Sequence, residues 1–493
     1  MAENFYQLFA QINRIPRPSH HEEKIADFLC DFAVKHNLEY RRDSQNCVVI
    51  RKQATTGYEN AQPVVILNHM DMVCVAEDGY LRNGHPFDPL NDDIRPYIYT
   101  DDKGERWMKA EGTSLGADNG LGLSMALAIL ADDTLIHPAI EVLTTTNEED
   151  GMSGAEALSR DFIKGRKVIN LDSEAYDQIT VGAAGACLQV GKWDLTFQSQ
   201  SEGYQYYRLT IDGGNGGHSG VDINKGRCNC IKSLAEFLYH TYADKDNEMS
   251  GIILCSLNGG TANASIASWA EAVLAVSDYD AEKLKVNVEQ WKHEVKQTYN
   301  TSDSNLSINL SACQSTPSIN QGGSIIKCLA SLPYGVQEMR KDMDDTVMTS
   351  NNIGMIRTTD HELTISCHTR SFDMNEQNKL SDLIKQLMID YGAREVERLM
   401  NTDAWMERPD SPLLALTCRT FKDVLGFEPQ KVAMHFVLEA AYYVAKYPGI
   451  EIASIGPRII EPHSTSERVS LDTADKIWLV TIELLRRLAE EKS

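Results

Sequence analysis

Continuous apolar runs recur near both ends of the chain: Val64-Val65-Ile66-Leu67, Ile140-Glu141-Val142-Leu143, Val168-Ile169-Asn170-Leu171 and Ile450-Glu451-Ile452-Ala453-Ser454-Ile455. Runs of this kind, bounded by turn residues, read as strands buried in an α/β sheet. At the N-terminus the spacing predicts two helices. Ser19-His20-His21-Glu22 has the form of a capping box, and Ile25, Phe28, Leu29 and Phe32 follow at helical spacing. A glycine-rich turn, Gly112 to Gly122, leads into Leu121, Leu123, Met125, Leu127, Ile129 and Leu130. A helix this rich in small and apolar residues belongs in the interior.

Short strands and helices alternate to about residue 185, and the style changes near 188. Ala272-Val273-Leu274-Ala275-Val276 precedes Asp280 and a helix through Val295. Glu362-Leu363-Thr364-Ile365-Ser366 precedes Asp373 and a helix through Tyr391, as an echo of the first. After about 395 the first style returns, with helices over Leu413–Leu425 and Thr473–Glu490. The pattern predicts an α/β protein. Residues 1–187 and 395–493 form one discontinuous domain, and 188–394 form an inserted α/β sandwich of two repeated units.

A chain of 493 residues exceeds one ordinary core and fits this division. Its net charge of −24 argues against nucleic acid or anionic membrane as a partner. No apolar run approaches the ~18–20 residues that span a bilayer, and Met1-Ala2-Glu3-Asn4-Phe5 lacks the features of a signal peptide. Eleven scattered cysteines, with only Cys228 and Cys230 close together, fit reduced thiols and a cytoplasmic protein.

Five segments carry metal-type ligands: His69-Met70-Asp71, Asp118 in Gly116-Ala117-Asp118-Asn119-Gly120, Glu148-Glu149, Asp172, and His463 in Pro462-His463-Ser464. Alone, each has an ordinary reading as a surface turn, a helix cap or a structural histidine. Together they matter, because three follow the apolar runs and ligands gather at the carboxyl ends of strands in open α/β sheets. His69 and Asp71 are two apart, so on an extended strand end they share a side. Asp71 can then accept a hydrogen bond from the ring nitrogen of His69 that faces away from metal. Asp118 has two oxygens and suits a bridge between two ions, or a helix N-cap. Glu148 and Glu149 are adjacent and point apart, so one can bind metal while the other takes a proton from water.

These motifs, with Glu148-Glu149-X-Gly151-Met152-X-Gly154-Ala155, Asn170-Leu171-Asp172-Ser173-Glu174 and Gly456-Pro457, resemble the M20 metallopeptidases. Within that family the resemblance is to the bacterial aminoacyl-histidine dipeptidases, also called cytosol non-specific dipeptidases, and it covers nearly the whole chain. It implies a zinc-peptidase-type α/β catalytic domain with an inserted lid or dimerisation domain. It also implies one metal held by His69, Asp118 and Asp172, and another by Asp118, Glu149 and His463. Glu148 would be the general base, Asp71 would orient His69, and the Asp118–Asn119 peptide bond would be cis. His218, in Gly216-Gly217-His218-Ser219-Gly220, would stabilise the oxyanion. Arg370 would grip a substrate carboxylate. His435 and Glu439 fall on the family's substrate motif, with Glu439 pairing with a free amino group.

The implied activity is hydrolysis of unblocked dipeptides, Xaa-His or a broader set. The implied ions are two divalent metals, Zn²⁺ first, with Mn²⁺ or Co²⁺ as alternatives. A homodimer is a further implication. Three places depart from the family pattern: Asn263-Ala264-Ser265-Ile266-Ala267-Ser268-Trp269-Ala270 lacks its arginines and proline, Phe436-Val437 replaces Ala-Gly, and Ala440-Ala441 replaces Cys-Gly. These positions bear on substrate preference. An N-acyl amino acid deacylase and a non-catalytic peptide-binding protein are the competing readings.

Overall fold

Valine, isoleucine and leucine at successive positions leave no face for water, so the apolar runs become neighbouring strands in a sheet covered on both sides. The computed structural model describes residues 4–200, 202–243 and 251–491. The chain divides into two units. The first comprises Met1–Gly182, Trp405–Ala433 and Glu439–Ser493, and the second Ala183–Ala404 and Met434–Leu438.

The first unit's sheet contains β1 (Glu39–Arg42), β2 (Val48–Lys52), β3 (Val64–His69), β4 (Ile140–Thr145), β5 (Lys167–Asn170) and β6 (Gln178–Ala183). Their order is β1-β2-β4-β3-β5, then the strand Glu451–Ser454, then β6. β4, β3, β5 and Glu451–Ser454 run parallel, so their carboxyl ends lie along one edge. All six residues of β3 and of β4 are buried. The helices are α1 (Phe5–Ile12), α2 (Glu23–Lys35) and α3 (Ala117–Ala131), with Pro412–Leu425 and Leu471–Glu490 from the C-terminal part. α3 is buried on all sides from Asn119 to Leu130.

Ser19 does not cap α2. Its hydroxyl donates to Asp71 Oδ2 at 2.8 Å, and no side chain caps the helix start at Glu22. The helix begins at Glu23 with Glu22 at the cap position, so Ser19 stands ahead of it and its hydroxyl meets the buried carboxylate instead.

The second unit is a sheet with helices packed on one face. Its strands are β7 (Gly185–Asp194), β8 (Tyr204–Asp212), β9 (Ile252–Gly259), β10 (Ala270–Ser277), β11 (Ser307–Ala312), β12 (Val347–Thr358), β13 (Glu362–Ser371) and β14 (Glu395–Thr402). Its helices include α4 (Cys230–Leu238), α5 (Ala281–Thr298), α6 (Gly322–Ser331) and α7 (Met374–Asp390). The sheet order β11-β8-β10-β9-β12-β13-β7-β14 has a repeat in it. One half runs β8-α4-β9-β10-α5-β11. The other runs β7-α6-β12-β13-α7-β14, with the first half inserted after β7. The two meet at β9 and β12. One core joins them through residues such as Leu254, Leu274, Leu284, Ile325, Ile365 and Ile384.

The main unit boundaries lie at 182/183 and 404/405, and Met434–Leu438 also joins the second unit, where the hydrophobic pattern places the division at 187/188 and 394/395 and assigns all of 395–493 to the first domain. At the main boundaries the difference is β14. It pairs with β7 from Lys192↔Glu395 to Ala186↔Thr402, which ties both strands to the second sheet. β14 is mostly exposed, so its polar sequence carries no signal of membership. Among the described residues no helix is long and apolar enough to cross a membrane, and all eleven cysteines are free.

Candidate active site

The ligand-type residues of the first unit meet at the carboxyl edge of its parallel strands. His69 ends β3, Glu148 and Glu149 lie in the turn after β4, and Asp172 follows β5. Asp118 stands at the start of α3 with extended backbone angles, φ −81° and ψ 111°. The Asp118–Asn119 peptide bond is cis. His463 lies in the loop beyond Glu451–Ser454, at φ 60°, a left-handed conformation rare for a residue with a β-carbon.

Asp118 divides its two oxygens between two groups. Oδ1 lies 3.1 Å from His69 Nε2, and that same nitrogen is 3.3 Å from Asp172 Oδ1. Oδ2 lies 3.1 Å from His463 Nε2, which is 2.8 Å from Glu149 Oε2. Two triads therefore share one carboxylate. Asn119 Nδ2 donates to Asp172 Oδ1 at 2.5 Å and steadies it.

The charges at this point call for cations. Burial raises the carboxyl groups of Glu148, Glu149 and Asp172 above their usual range. Burial opposes ionisation of Asp118 as well, but hydrogen bonds from His463 and His69 hold it well below that range. Hydrogen bonds to Asp118 and Glu149 push His463 up to about 11. His69 is also raised, because Asp172 and Asp118 outweigh its burial. Four carboxylates facing two imidazoles are short of positive charge. Glu149 Oε1 is buried without a hydrogen-bond partner, and one ligand atom each from His69, Asp118 and Glu149 lie within 4.8 Å of one another. Mixed nitrogen and oxygen donors around such a deficit fit divalent metal ions.

Residues 65–491 match Peptidase family M20/M25/M40. The chain belongs to that family. It is 32% identical over 486 residues to the cytosol non-specific dipeptidase of Escherichia coli (strain K12), covering 98% of this chain and 97% of that one. Its structure resembles an aminoacylhistidine dipeptidase from Vibrio alginolyticus, with a TM-score of 0.84 and 31% identity, covering 99% of this chain and 97% of that one. An aminopeptidase from Bacillus cereus, at a TM-score of 0.55 and 14% identity over 99% of each chain, shares the fold.

Around the Glu148-Glu149 turn of this M20 peptidase, Asp71 does more than touch His69. Its carboxylate accepts from the backbone N–H groups of Glu148 and Glu149 at 3.0 and 3.1 Å. His69 Nδ1 lies 3.5 Å from Asp71 Oδ1 and nearer, at 3.2 Å, to the Asp71 carbonyl oxygen. Asp71 thus fixes the Glu148-Glu149 turn, while its main chain supplies the closer acceptor for His69. Glu22 Oε1 accepts from Asn147 N–H at 2.8 Å and braces the same turn.

Two buried charged residues hold the loop that carries Asp118. The Glu467 carboxylate accepts from the N–H groups of Leu115, Gly116 and Ala117 at 2.7 to 2.8 Å. Arg17 donates to the carbonyls of Met70, Asp71 and Gly116, joining that loop to the His69 strand end. Sequence reading missed both, because an Arg in Arg14-Ile15-Pro16-Arg17-Pro18 and a Glu in a polar stretch look solvated. Only their burial, 1% and 2% exposed, reveals the role.

Glu439 also lies in the first unit. Its Oε2 accepts from Thr145 Oγ1 at 3.0 Å and Tyr443 OH at 3.2 Å. Its Oε1 is buried without a partner, and burial pushes the carboxyl up to about 8.

His218, Arg370 and His435 lie in the second unit. His218 Nδ1 accepts from the N–H groups of Gly220 and Val221, both at 3.2 Å. Burial and the Arg370 charge push it down to about 4, so the ring is neutral at pH 7 and carries its proton on Nε2. The ring meets Phe436 edge-on at 5.7 Å, and Ser265 bridges His218 backbone to backbone. Two of the three departures from the family pattern therefore touch this histidine. His435 Nε2 lies 2.8 Å from Ser350 Oγ, and burial pushes it down to about 3.

This cluster predicts a pH dependence of stability. His218, His368 and His435 are all depressed, chiefly by burial. In the unfolded chain each takes a proton below about pH 6.5. Below that pH the unfolded state binds more protons, so stability falls as pH drops toward the folded values and is full above 6.5. At ~1.4 kcal/mol per pKa unit, His435 alone amounts to several kcal/mol. Urea midpoints of the metal-free protein measured from pH 7 to 4 should fall less steeply in His435→Gln than in the wild type. Equal slopes would show that His435 does not carry the effect.

Proposed function

We propose that this chain is a metal-dependent dipeptidase acting on unblocked dipeptides. The observation that carries the reading is the pair of triads sharing Asp118, with Glu148 beside them and outside both. Two divalent ions, one held by His69, Asp118 and Asp172 and one by Asp118, Glu149 and His463, would acidify a water and polarise the scissile carbonyl. Mixed imidazole and carboxylate donors suit Zn²⁺ first, then Mn²⁺ or Co²⁺.

The chain's own residues supply the proton transfers. Glu148 removes a proton from the attacking water as its oxygen bonds to the carbonyl carbon. It then delivers that proton to the leaving nitrogen as the C–N bond breaks. Burial raises the Glu148 carboxyl above its usual range, which makes its carboxylate a stronger base toward the water proton. His218 is assigned the oxyanion by resemblance, and its neutral form with the proton on Nε2 is the form that donates. Arg370 is buried and lowered to about 10 by burial alone, which supports a role for a substrate carboxylate as its counter-ion. Glu439, with one free buried oxygen, is the partner proposed for the free amino group. The second unit is proposed as lid and dimerisation domain, and the cytoplasm as the location, on the same resemblance.

The test is hydrolysis of Ala-His, β-Ala-His, Gly-Leu, a tripeptide and an N-acetyl amino acid, with chelator and with added Zn²⁺. Chelator-sensitive cleavage of the dipeptides alone is the expected result. Cleavage of the acetylated compound alone would move the function to deacylase. No cleavage by metal-loaded protein would overturn the reading.

A further inference from the structure

The Ser19-His20-His21-Glu22 motif has the form of a capping box, yet no side chain caps the start of α2. Its polar groups are engaged elsewhere. Glu22 is 4% exposed, and its Oε1 accepts from Asn147 N–H at 2.8 Å and from His20 N–H at 3.1 Å. Ser19 donates to Asp71 Oδ2 at 2.8 Å. His20 Nε2 lies 2.8 Å from Asp150 Oδ2 on the exposed rim. Three of the four residues therefore meet the turn that carries Glu148 and Glu149, or the carboxylate that grips it.

That turn is held at three successive N–H groups. Asn147 donates to Glu22, Glu148 to Asp71 Oδ1 and Glu149 to Asp71 Oδ2. Asn147 is left-handed at φ 56°, and its Nδ2 donates to the Asp150 carbonyl at 2.8 Å and to Ser153 Oγ at 2.9 Å. Asp71 could turn about its Cβ–Cγ bond, but the Ser19 hydroxyl shares Oδ2 with the Glu149 N–H and fixes it. Side-chain directions follow from backbone dihedrals. Locking three consecutive N–H groups therefore settles where two adjacent glutamates point. Glu149 faces His463 at 2.8 Å, and Glu148 belongs to neither triad.

We infer that Glu22 is a positioning residue for hydrolysis: by gripping Asn147 N–H, while Ser19 locks Asp71, it keeps Glu148 placed as the base and Glu149 as the ligand. The inference rests on the dipeptidase reading and adds residues that touch neither substrate nor metal. A buried carboxylate must be hydrogen-bonded, and Glu22 takes its donors from two main chains 125 positions apart. It thereby couples the N-terminal turn to the base. Such coupling matters because a misplacement of ~1 Å can cost about 10²-fold in rate.

The experiment is a double-mutant cycle on Gly-Leu hydrolysis in saturating Zn²⁺, with wild type, Glu22→Ala, Glu148→Gln and the two combined. Bound metal and thermal unfolding are measured on each. Glu22→Ala should lower kcat about 10- to 100-fold, with KM little changed and metal content at the wild-type level. Glu22→Gln, whose side-chain oxygen accepts the same two N–H bonds, should recover most of the loss. In the Glu148→Gln background, Glu22→Ala should add less than about twofold, because an absent base cannot be misplaced. Wild-type kcat in Glu22→Ala, an undiminished effect in that background, or a glutamine variant as impaired as alanine would each overturn the role. Ser19→Ala removes one hydroxyl and runs through the same cycle should Glu22→Ala fail to fold. It should show a smaller loss of kcat that also vanishes with Glu148→Gln, and wild-type kcat there would overturn the role equally. A metal-loaded wild type that cleaves no dipeptide would overturn the dipeptidase reading and this inference with it. A cleaving wild type with an indifferent Glu22→Ala overturns the inference alone.

Discussion

Glu148→Gln is expected to lower kcat by about 10²- to 10⁴-fold while metal content stays at the wild-type level. This is the range that a positioned general base contributes. The two triads use His69, Asp118, Asp172, Glu149 and His463, and the Glu148 side chain belongs to neither. It lies in the same turn as Glu149, whose backbone is held by Asp71. Glutamine keeps the shape and cannot accept the proton, so substrate binding should survive and KM should move little. Kinetics and metal analysis on one preparation give both readouts. Undiminished turnover would place the base elsewhere. Loss of one metal equivalent would make Glu148 a ligand.

Asp118→Asn should be as damaging to turnover and should also empty the site. One carboxylate serves both triads through separate oxygens, 3.1 Å to each imidazole. Asparagine has one oxygen and no charge, so neither ion keeps a full ligand set. Bound metal should drop from about two equivalents to less than one, because two-metal sites depend on the group between the ions. Glu149→Gln changes only the second triad and should cost about one equivalent. The loop should survive in both variants, because Glu467 and Arg17 hold it through backbone groups. Metal-free unfolding temperatures close to the wild type would confirm that. Two equivalents retained in Asp118→Asn would remove the bridging role.

Much of the first unit is legible without coordinates. Val64–Leu67, Ile140–Leu143 and Val168–Leu171 form neighbouring strands because a buried parallel sheet admits few residues but β-branched and aliphatic ones. The helix after Asp118 is buried on all sides because its sequence offers no polar face. The echo between Ala272–Val276 and Glu362–Ser366 marks matching strands, β10 and β13, in the two halves of the second sheet. The start of α2 misled, because a capping-box pattern says nothing of a carboxylate that arrives from elsewhere.

Periodicity, turn chemistry and ligand type are local properties, so residues 1 to 15 apart suffice to read them, and they determined the strands, the main helices and the identity of the metal-type side chains. What the tertiary structure decided is non-local. It set which oxygen of Asp118 faces His69 and which faces His463, 345 positions away. It turned Asp71 toward the backbone of the Glu148-Glu149 turn and buried Arg17 and Glu467 behind the metal-type ligands. It buried Arg370 against the Ser219 hydroxyl, 151 positions away. Burial decides each of these, because a charge or donor that water would satisfy on the surface must find its partner, or await it, inside the fold.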